Sequence, residues 1–186
     1  MPSAPAPRTK SSGPDAAAGC RLLLVRHAKA VPKGPEVEDF ERALSERGRA
    51  DAPRTGAWLA ESGHRPELVL CSPARRTSET WQLLVPALPV PPPPAVSDER
   101  LYKAEPNVLA TVLTERAAGL GCVALVGHNP GLHAFASALC GSGPPELLEE
   151  LTARFVTSGL AVVDLPGWDA LTPGAGRLTA LWSPHR

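Results

Sequence analysis

Two histidines each close a short apolar run, and each is followed by residues that end a strand. The first run is Leu22-Leu23-Leu24-Val25 followed by Arg26-His27, and the second is Val123-Ala124-Leu125-Val126 followed by Gly127-His128-Asn129-Pro130-Gly131. An imidazole near neutral pH can act as nucleophile, proton carrier or hydrogen-bond donor. An Arg-His pair facing a second His suits an anion, most readily a phosphate. A third run, Val69-Leu70-Cys71, leads into Ser72-Pro73-Ala74-Arg75-Arg76-Thr77. If the three ends meet, Arg26, Arg76, His27 and His128 form a compact cationic pocket.

The elements that would bring them together follow from the same runs. Four or five consecutive apolar residues bounded by polar or turn residues suit interior strands of a parallel sheet, which are covered on both faces. In such sheets ligands bind beyond the carboxyl ends of the strands, where all three segments would then lie. Ser72-Pro73 and Asn129-Pro130 each read as a helix cap followed by a proline in the first turn. Two helix N-termini would add backbone N–H groups and partial positive charge at that edge. Arg76 is expected about one turn into the first helix. Neighbouring Arg75 faces about 100° away and reads as a solvated charge.

A neutral imidazole is a competent nucleophile toward phosphorus, and a phosphohistidine intermediate divides one difficult transfer into two. Flanking arginines are expected to lower its pKa by like-charge repulsion. Guanidinium forks suit the non-bridging oxygens, so positioning and charge stabilisation suffice without metal or cofactor. Rival chemistries fit poorly. Cys71 is followed by Arg76 after four residues, one short of the cysteine-phosphatase loop, and His128 and His133 are five apart with no Cys-x-x-Cys elsewhere. No Gly-x-x-x-x-Gly-Lys loop occurs. His64, His133 and His185 read as incidental.

Arg26-His27-Ala28, Ser72 to Thr80 and Gly127-His128-Asn129-Pro130-Gly131 together resemble the histidine phosphatase superfamily, specifically its short SixA-like phosphohistidine phosphatases. The likeness runs from about Cys20 onward and includes Leu44-Ser45-Glu46-Arg47-Gly48, Leu101-Tyr102-Lys103-Ala104 and Gly176-Arg177-Leu178. It implies His27 as nucleophile, with Arg26, Arg76 and His128 as phosphate ligands. Lys29 and Asn129 complete the expected substrate-binding set, with a solvated position as the alternative for Lys29. Ala28 departs from the usual Gly, although Arg-His-Ala-Lys also occurs in SixA-like sequences. For the leaving group's proton the candidate is Glu99, in the acidic stretch before Pro106; the other reading makes it a solvated loop carboxylate. The resemblance implies a phosphatase acting on a phosphorylated protein or small molecule. The alternatives are a non-catalytic phosphate- or phosphohistidine-binding module and a small-metabolite phosphatase or mutase of the same superfamily, for which the chain is short of lid insertions.

Composition agrees with one enzyme-sized domain. The chain has 186 residues, is 43% hydrophobic and carries zero formal net charge, which speaks against a nucleic-acid surface, and it has no long apolar stretch for a membrane. Cys71, Cys122 and Cys140 read as buried free thiols, which implies a reducing cytoplasm. Residues 1–19, rich in Pro, Ser, Ala and Gly, read as a disordered tail, and residues 20–186 as the catalytic domain. A helix is expected over Ser45 to Glu61, with Pro53 kinking or restarting it. Residues 86–94 read as a stiff proline-rich link. Pro106 should open a helix that buries Val108, Leu109, Val112 and Leu113; Leu147, Leu148, Leu151 and Phe155 should repeat that pattern, and Leu160 to Leu165 and Leu178 to Trp182 should be strands. The expected fold is α/β, three-layered, with a mainly parallel sheet and helices on both faces, similar to phosphoglycerate mutase.

Overall fold

Along the first central strand the side chains alternate between two cores. Leu22 and Leu24 point into one with Leu70, Val123 and Leu125, while Leu23 and Val25 point into the other with Val69, Ala124 and Val126. A strand apolar on both faces must be covered on both, and each fully buried Leu or Val contributes roughly 1.5–3 kcal/mol. The computed structural model describes residues 19–185, so the expected tail lies outside the described residues apart from Gly19. Its strands are β1 (Cys20–Arg26), β2 (Leu68–Cys71), β3 (Ala95–Ser97), β4 (Cys122–Gly127), β5 (Cys140–Ser142), β6 (Leu160–Leu165) and β7 (Gly176–Trp182). Its helices are α1 (Glu46–Glu61), α2 (Arg75–Leu84), α3 (Pro106–Arg116), α4 (Gly131–Leu139) and α5 (Pro145–Ala153).

The strands form one sheet in the order β3-β2-β4-β1-β6-β7-β5. Pairs β2·β3, β2·β4, β1·β4 and β5·β7 are parallel, and only β6 runs against its neighbours. Helices α1 and α2 contribute Leu59 and Leu84 to one core. Helices α3, α4 and α5 cover the other with Leu109, Leu113, Leu132, Phe135 and Leu151. This is the expected three-layer α/β arrangement, and β1, β2 and β4 end on the same edge.

Several local expectations are corrected. Helix α1 runs unbroken through Pro53. Ser72 does not cap α2, which begins at Arg75 after Ala74, and Asn129 does not cap α4, which begins at Gly131 after Pro130; both side chains bond elsewhere, as described below. Arg76 is therefore the second residue of its helix rather than one turn in. Phe155 lies beyond the end of α5, although it is buried in the same core as Leu151. Cys122 and Cys140 are half-buried rather than buried, and all four cysteines are free thiols. The short strands β3 and β5 carry no apolar alternation that would have marked them.

One packing contact ties α1 to the functional edge. Ser45 caps α1, accepting from the Gly48 N–H at 3.2 Å, and its own N–H and hydroxyl both donate to the carbonyl of Lys29, two residues past His27. Gly48 faces that same carbonyl so closely that a Cβ would lie 2.1 Å from the oxygen. Gly48→Ala should therefore cost about 1–3 kcal/mol of stability by overpacking. Gly34→Ala, where nothing lies within 4 Å, should stay within about 0.5 kcal/mol. Chemical denaturation of both variants checks this, and equal losses would show that the contact relaxes freely.

Candidate active site

The register of β1 against β4 places the two histidines side by side. The last aligned pair is Arg26 with Gly127, and the His27 N–H donates to the Gly127 carbonyl at 3.1 Å. The imidazoles that follow stand 5.2 Å apart between ring centroids. On the other side of β4, Cys71 aligns with Val126, which brings Ser72 to His128, with Ser72 Oγ 2.7 Å from His128 Nε2. Ser72 is thus spent on orienting His128 rather than on capping. When its hydroxyl donates to Nε2, the ring proton sits on Nδ1.

His27 has its tautomer set by its own backbone. Nδ1 lies 2.7 Å from the Ala28 carbonyl, which can only accept, so Nδ1 carries the proton and Nε2 keeps a free lone pair. The Ala28 N–H donates to Thr80 Oγ1 at 2.9 Å. The Ala28 methyl is accommodated in a small cluster with Leu44 and Ala52, so the departure from Gly at this position is absorbed by side-chain packing.

Arg26, His27, Lys29, Ala30, Asp39, Arg42, Arg76, Lys103, His128, Asn129 and Thr157 line a cleft of about 290 Å³ at this edge. All of the expected residues except Glu99 are among them. Glu99 lies exposed in a single 3-10 turn, Glu99–Leu101, outside the lining. Arg75 points away and pairs with Glu79 at 2.8 Å, as expected of a solvated charge. The sequence reading missed Asp39, Arg42 and Lys103. Lys103 lay within a stretch already noted, Leu101 to Ala104. The positive φ of Lys103, 50°, is the kind of unfavourable backbone that accumulates at functional sites.

The loop before β6 fixes the remaining groups. The Phe155 carbonyl accepts from Arg26 Nη1 at 2.7 Å and from Asn129 Nδ2 at 2.9 Å. The Ser158 N–H donates to the His27 carbonyl at 3.2 Å, and the Thr55 hydroxyl to the Ser158 carbonyl at 3.1 Å. Among the described residues, the buried polar side-chain atoms without a partner include Arg26 Nε, Arg76 Nε, His128 Nδ1 and Asn129 Oδ1. All four belong to cleft residues. Leaving such atoms unpaired costs about 1–3 kcal/mol each; an anion would recover it by accepting from the Arg26, Arg76 and His128 nitrogens, whereas Asn129 Oδ1 needs a donor.

A larger hollow of about 490 Å³ lies at the opposite sheet edge, around Arg21, His64 and Asp164. Its one carboxylate among the described residues, Asp164, is already paired with Arg21, whose Nε lies 2.7 Å from Asp164 Oδ1; size therefore gives way to chemistry in choosing the site. His133 and His185 likewise bond within the fold, to the Leu151 carbonyl and to Asp51. Among the described residues no three His, Cys, Asp or Glu side chains cluster as a metal site, and no helix is long and apolar enough to cross a membrane.

Burial is the main cause of the histidines' altered acidity. It pulls the pKa of His27 down to about 4, with Arg76, Arg26 and Arg42 adding repulsion and the Ala28 hydrogen bond opposing it. The expected repulsion from the flanking arginines is present but second to burial. Burial and the neighbouring His27 and Arg76 take His128 down to about 3. Unfolded imidazoles protonate near pH 6.5, so below that pH the unfolded chain binds more protons than the folded one. The stability contributed by the neutral rings is complete above about pH 6.5 and is lost progressively as the pH falls toward 4. In an NMR titration both rings should remain neutral from pH 8 to pH 5, while denaturation midpoints fall below pH 6.5; a ring midpoint near 6.5 for His27 would contradict this.

Three comparisons agree with this geometry. Residues 22–105 match the model of the histidine phosphatase superfamily, branch 1. A Mycobacterium leprae protein of unassigned activity is 33% identical over 166 residues, which cover 87% of this chain and 100% of that protein. A crystal structure classed as a SixA phosphohistidine phosphatase, from Agrobacterium tumefaciens, superposes with a TM-score of 0.75 at 32% identity, over 89% of this chain and 98% of the other. A second of that class, from Nakamurella multipartitia, gives 0.75 at 27% identity, over 92% and 100%. With the Arg-His pair at the end of β1, the partner histidine at the end of β4 and a phosphoglycerate mutase-like sheet behind them, the chain belongs to the histidine phosphatase superfamily and to its SixA-like group.

Proposed function

We propose that this protein is a metal-independent phosphatase that transfers the phosphoryl group of phosphohistidine, or of another labile phosphorylated substrate, to His27 and then to water. The observation that carries the reading is the state of His27. Its Nδ1 proton is held by the Ala28 carbonyl and burial keeps the ring neutral, so Nε2 is a free nucleophile beside guanidinium groups with unspent donors. In the first step Nε2 forms a bond to phosphorus as the bond to the leaving group breaks. In the second, water attacks the phosphohistidine, releasing phosphate and restoring the imidazole. Arg26, Arg42, Arg76 and His128 stabilise charge on the non-bridging oxygens, and Lys29 and Asn129 lie at the rim to hold the remainder of the substrate. The catalytic domain spans residues 20–186.

The substrate class follows from the acid that the cleft lacks. Among the described residues Asp39 is the only carboxylate in its lining, and hydrogen bonds from Tyr102, Lys103 and Arg42, with the charge of Arg76, outweigh burial and hold its pKa far below the usual carboxylate range. It has no proton to give. An alkoxide leaving group needs one far more than an imidazole does, so phosphohistidine suits this cleft better than a phosphomonoester. The free thiols suit a reducing compartment such as the cytoplasm.

Rapid quenching with a labelled phosphoryl donor should trap acid-labile, alkali-stable label on the wild type and none on His27→Ala; label on Ser72 or Cys71 would overturn the assignment. Arg26→Ala and Arg76→Ala should each weaken vanadate binding roughly ten- to hundred-fold, the size of a charge-assisted contact. Arg75→Ala should have little effect. Activity should survive EDTA. Glu99→Gln should leave hydrolysis of phosphohistidine and of esters unchanged, and selective loss of ester hydrolysis would restore Glu99 as the proton donor.

A further inference from the structure

Asp39 stands where an anion-binding cleft would be expected to exclude a carboxylate. It lies in a single 3-10 turn, Asp39–Glu41, on the segment between β1 and α1. Its Oδ2 accepts from the Tyr102 hydroxyl at 2.7 Å, from Lys103 Nζ at 3.1 Å and from Arg76 Nη2 at 3.2 Å. Its Oδ1 accepts from Arg42 Nε at 2.9 Å, and its backbone carbonyl from Arg76 Nη1 at 2.6 Å. Both terminal nitrogens of Arg76, a residue 3% exposed, thus donate to one residue while its Nε has no partner. Against Asp39 the lining sets five cations, Arg26, Lys29, Arg42, Arg76 and Lys103.

A buried guanidinium without a counter-ion is strongly destabilising, and clustered cations repel one another. A phosphoryl group would relieve both costs while bound. The same cations, left with no internal rival, would also hold the phosphate product tightly, and slow release limits turnover in many enzymes. Asp39 addresses both states. It offsets part of the charge of Arg42, Arg76 and Lys103 when the cleft is empty, and an incoming phosphate must exchange with it for the donors that it holds, beside the free Nε groups of Arg26 and Arg76. The net affinity is then a difference between two sets of charge-assisted bonds.

We propose that Asp39 is a positioning residue acting as an internal counter-ion: it occupies the phosphate-binding donors of the empty cleft and competes with phosphate for them, which limits how tightly the product is held. The inference rests on reading the cleft as a phosphoryl site. Asp39→Asn removes the charge with little change of shape, and the backbone carbonyl still holds Arg76. Asp39→Glu keeps the charge.

Calorimetric titration with inorganic phosphate separates the possibilities without requiring turnover. Asp39→Asn should bind phosphate roughly ten- to hundred-fold more tightly than the wild type, the size of one charge-assisted contact, and Asp39→Glu should stay near the wild type. With a turned-over substrate, kcat and KM of Asp39→Asn should fall together and inhibition by phosphate should deepen. A weaker or unchanged affinity in Asp39→Asn, with KM raised, would overturn the proposal and leave Asp39 as a brace. Asp39→Ser gives the same comparison should the asparagine variant not fold. Absence of phosphate binding by the wild type would overturn the phosphoryl-site reading itself, an outcome distinct from a change confined to the variant.

Discussion

The site depends on the parallel pairing of β1 with β4. Because the side-chain period of a strand is two, a slip of one residue would turn every apolar side chain of β1 toward the opposite core. The split of Leu22 and Leu24 from Leu23 and Val25 between two separate cores therefore locks the register. With Arg26 opposite Gly127, the next residue on each strand is a histidine. The placement of the two imidazoles is thereby secured by hydrophobic burial deep in the sheet rather than by contacts between the rings themselves. The backbone bond from His27 to Gly127 and the Ala28 carbonyl on Nδ1 complete the arrangement locally.

Burial serves the chemistry a second time. The imidazoles are neutral chiefly because they are withdrawn from water, and the guanidinium groups reinforce that state. The same low-dielectric surroundings strengthen each contact that the cations make to an anion. The cost is a cluster of like charges and unpaired donors, carried by a scaffold that covers both faces of the sheet with helices. Asp39 and the Phe155 carbonyl offset part of that cost, the first by charge and the second by accepting from both Arg26 and Asn129. Both belong to connecting segments, which is where an α/β sheet places its specificity.

Membership of the superfamily accounts for the sheet and the paired histidines, while the activity is set by what surrounds them. The cleft is lined by a loop between β1 and α1, the turn after the Glu99–Leu101 helical turn, and the segment before β6. These bring cations and one neutralised carboxylate, and Glu99 stays on the surface. A cleft rich in cations and poor in acids is what supports the proposed preference for phosphoryl donors whose leaving groups depart readily.

Much of this was legible in the sequence because it is local. The apolar runs of β1, β4 and β6, the existence of helices α1, α2 and α3, though not the first residue of α2, and the histidines at strand ends all follow from hydrophobic period and chain punctuation. What the sequence could not settle was decided by contacts between distant residues. Asp39 was invisible because one acidic residue among several in a connecting segment, beside Glu36, Glu38 and Glu41, reads as solvated until Arg76, 37 positions on, and Tyr102, 63 positions on, close around it. Ser72 and Asn129 looked like helix caps because their types suit caps, yet Ser72 has His128 as a partner 56 residues away and Asn129 has the Phe155 carbonyl. The sequence by itself determined which side chains the strands would deliver to one edge. Only the tertiary structure decided which hydrogen-bond donors were already spent there, because that depends on which partners the fold brings within reach.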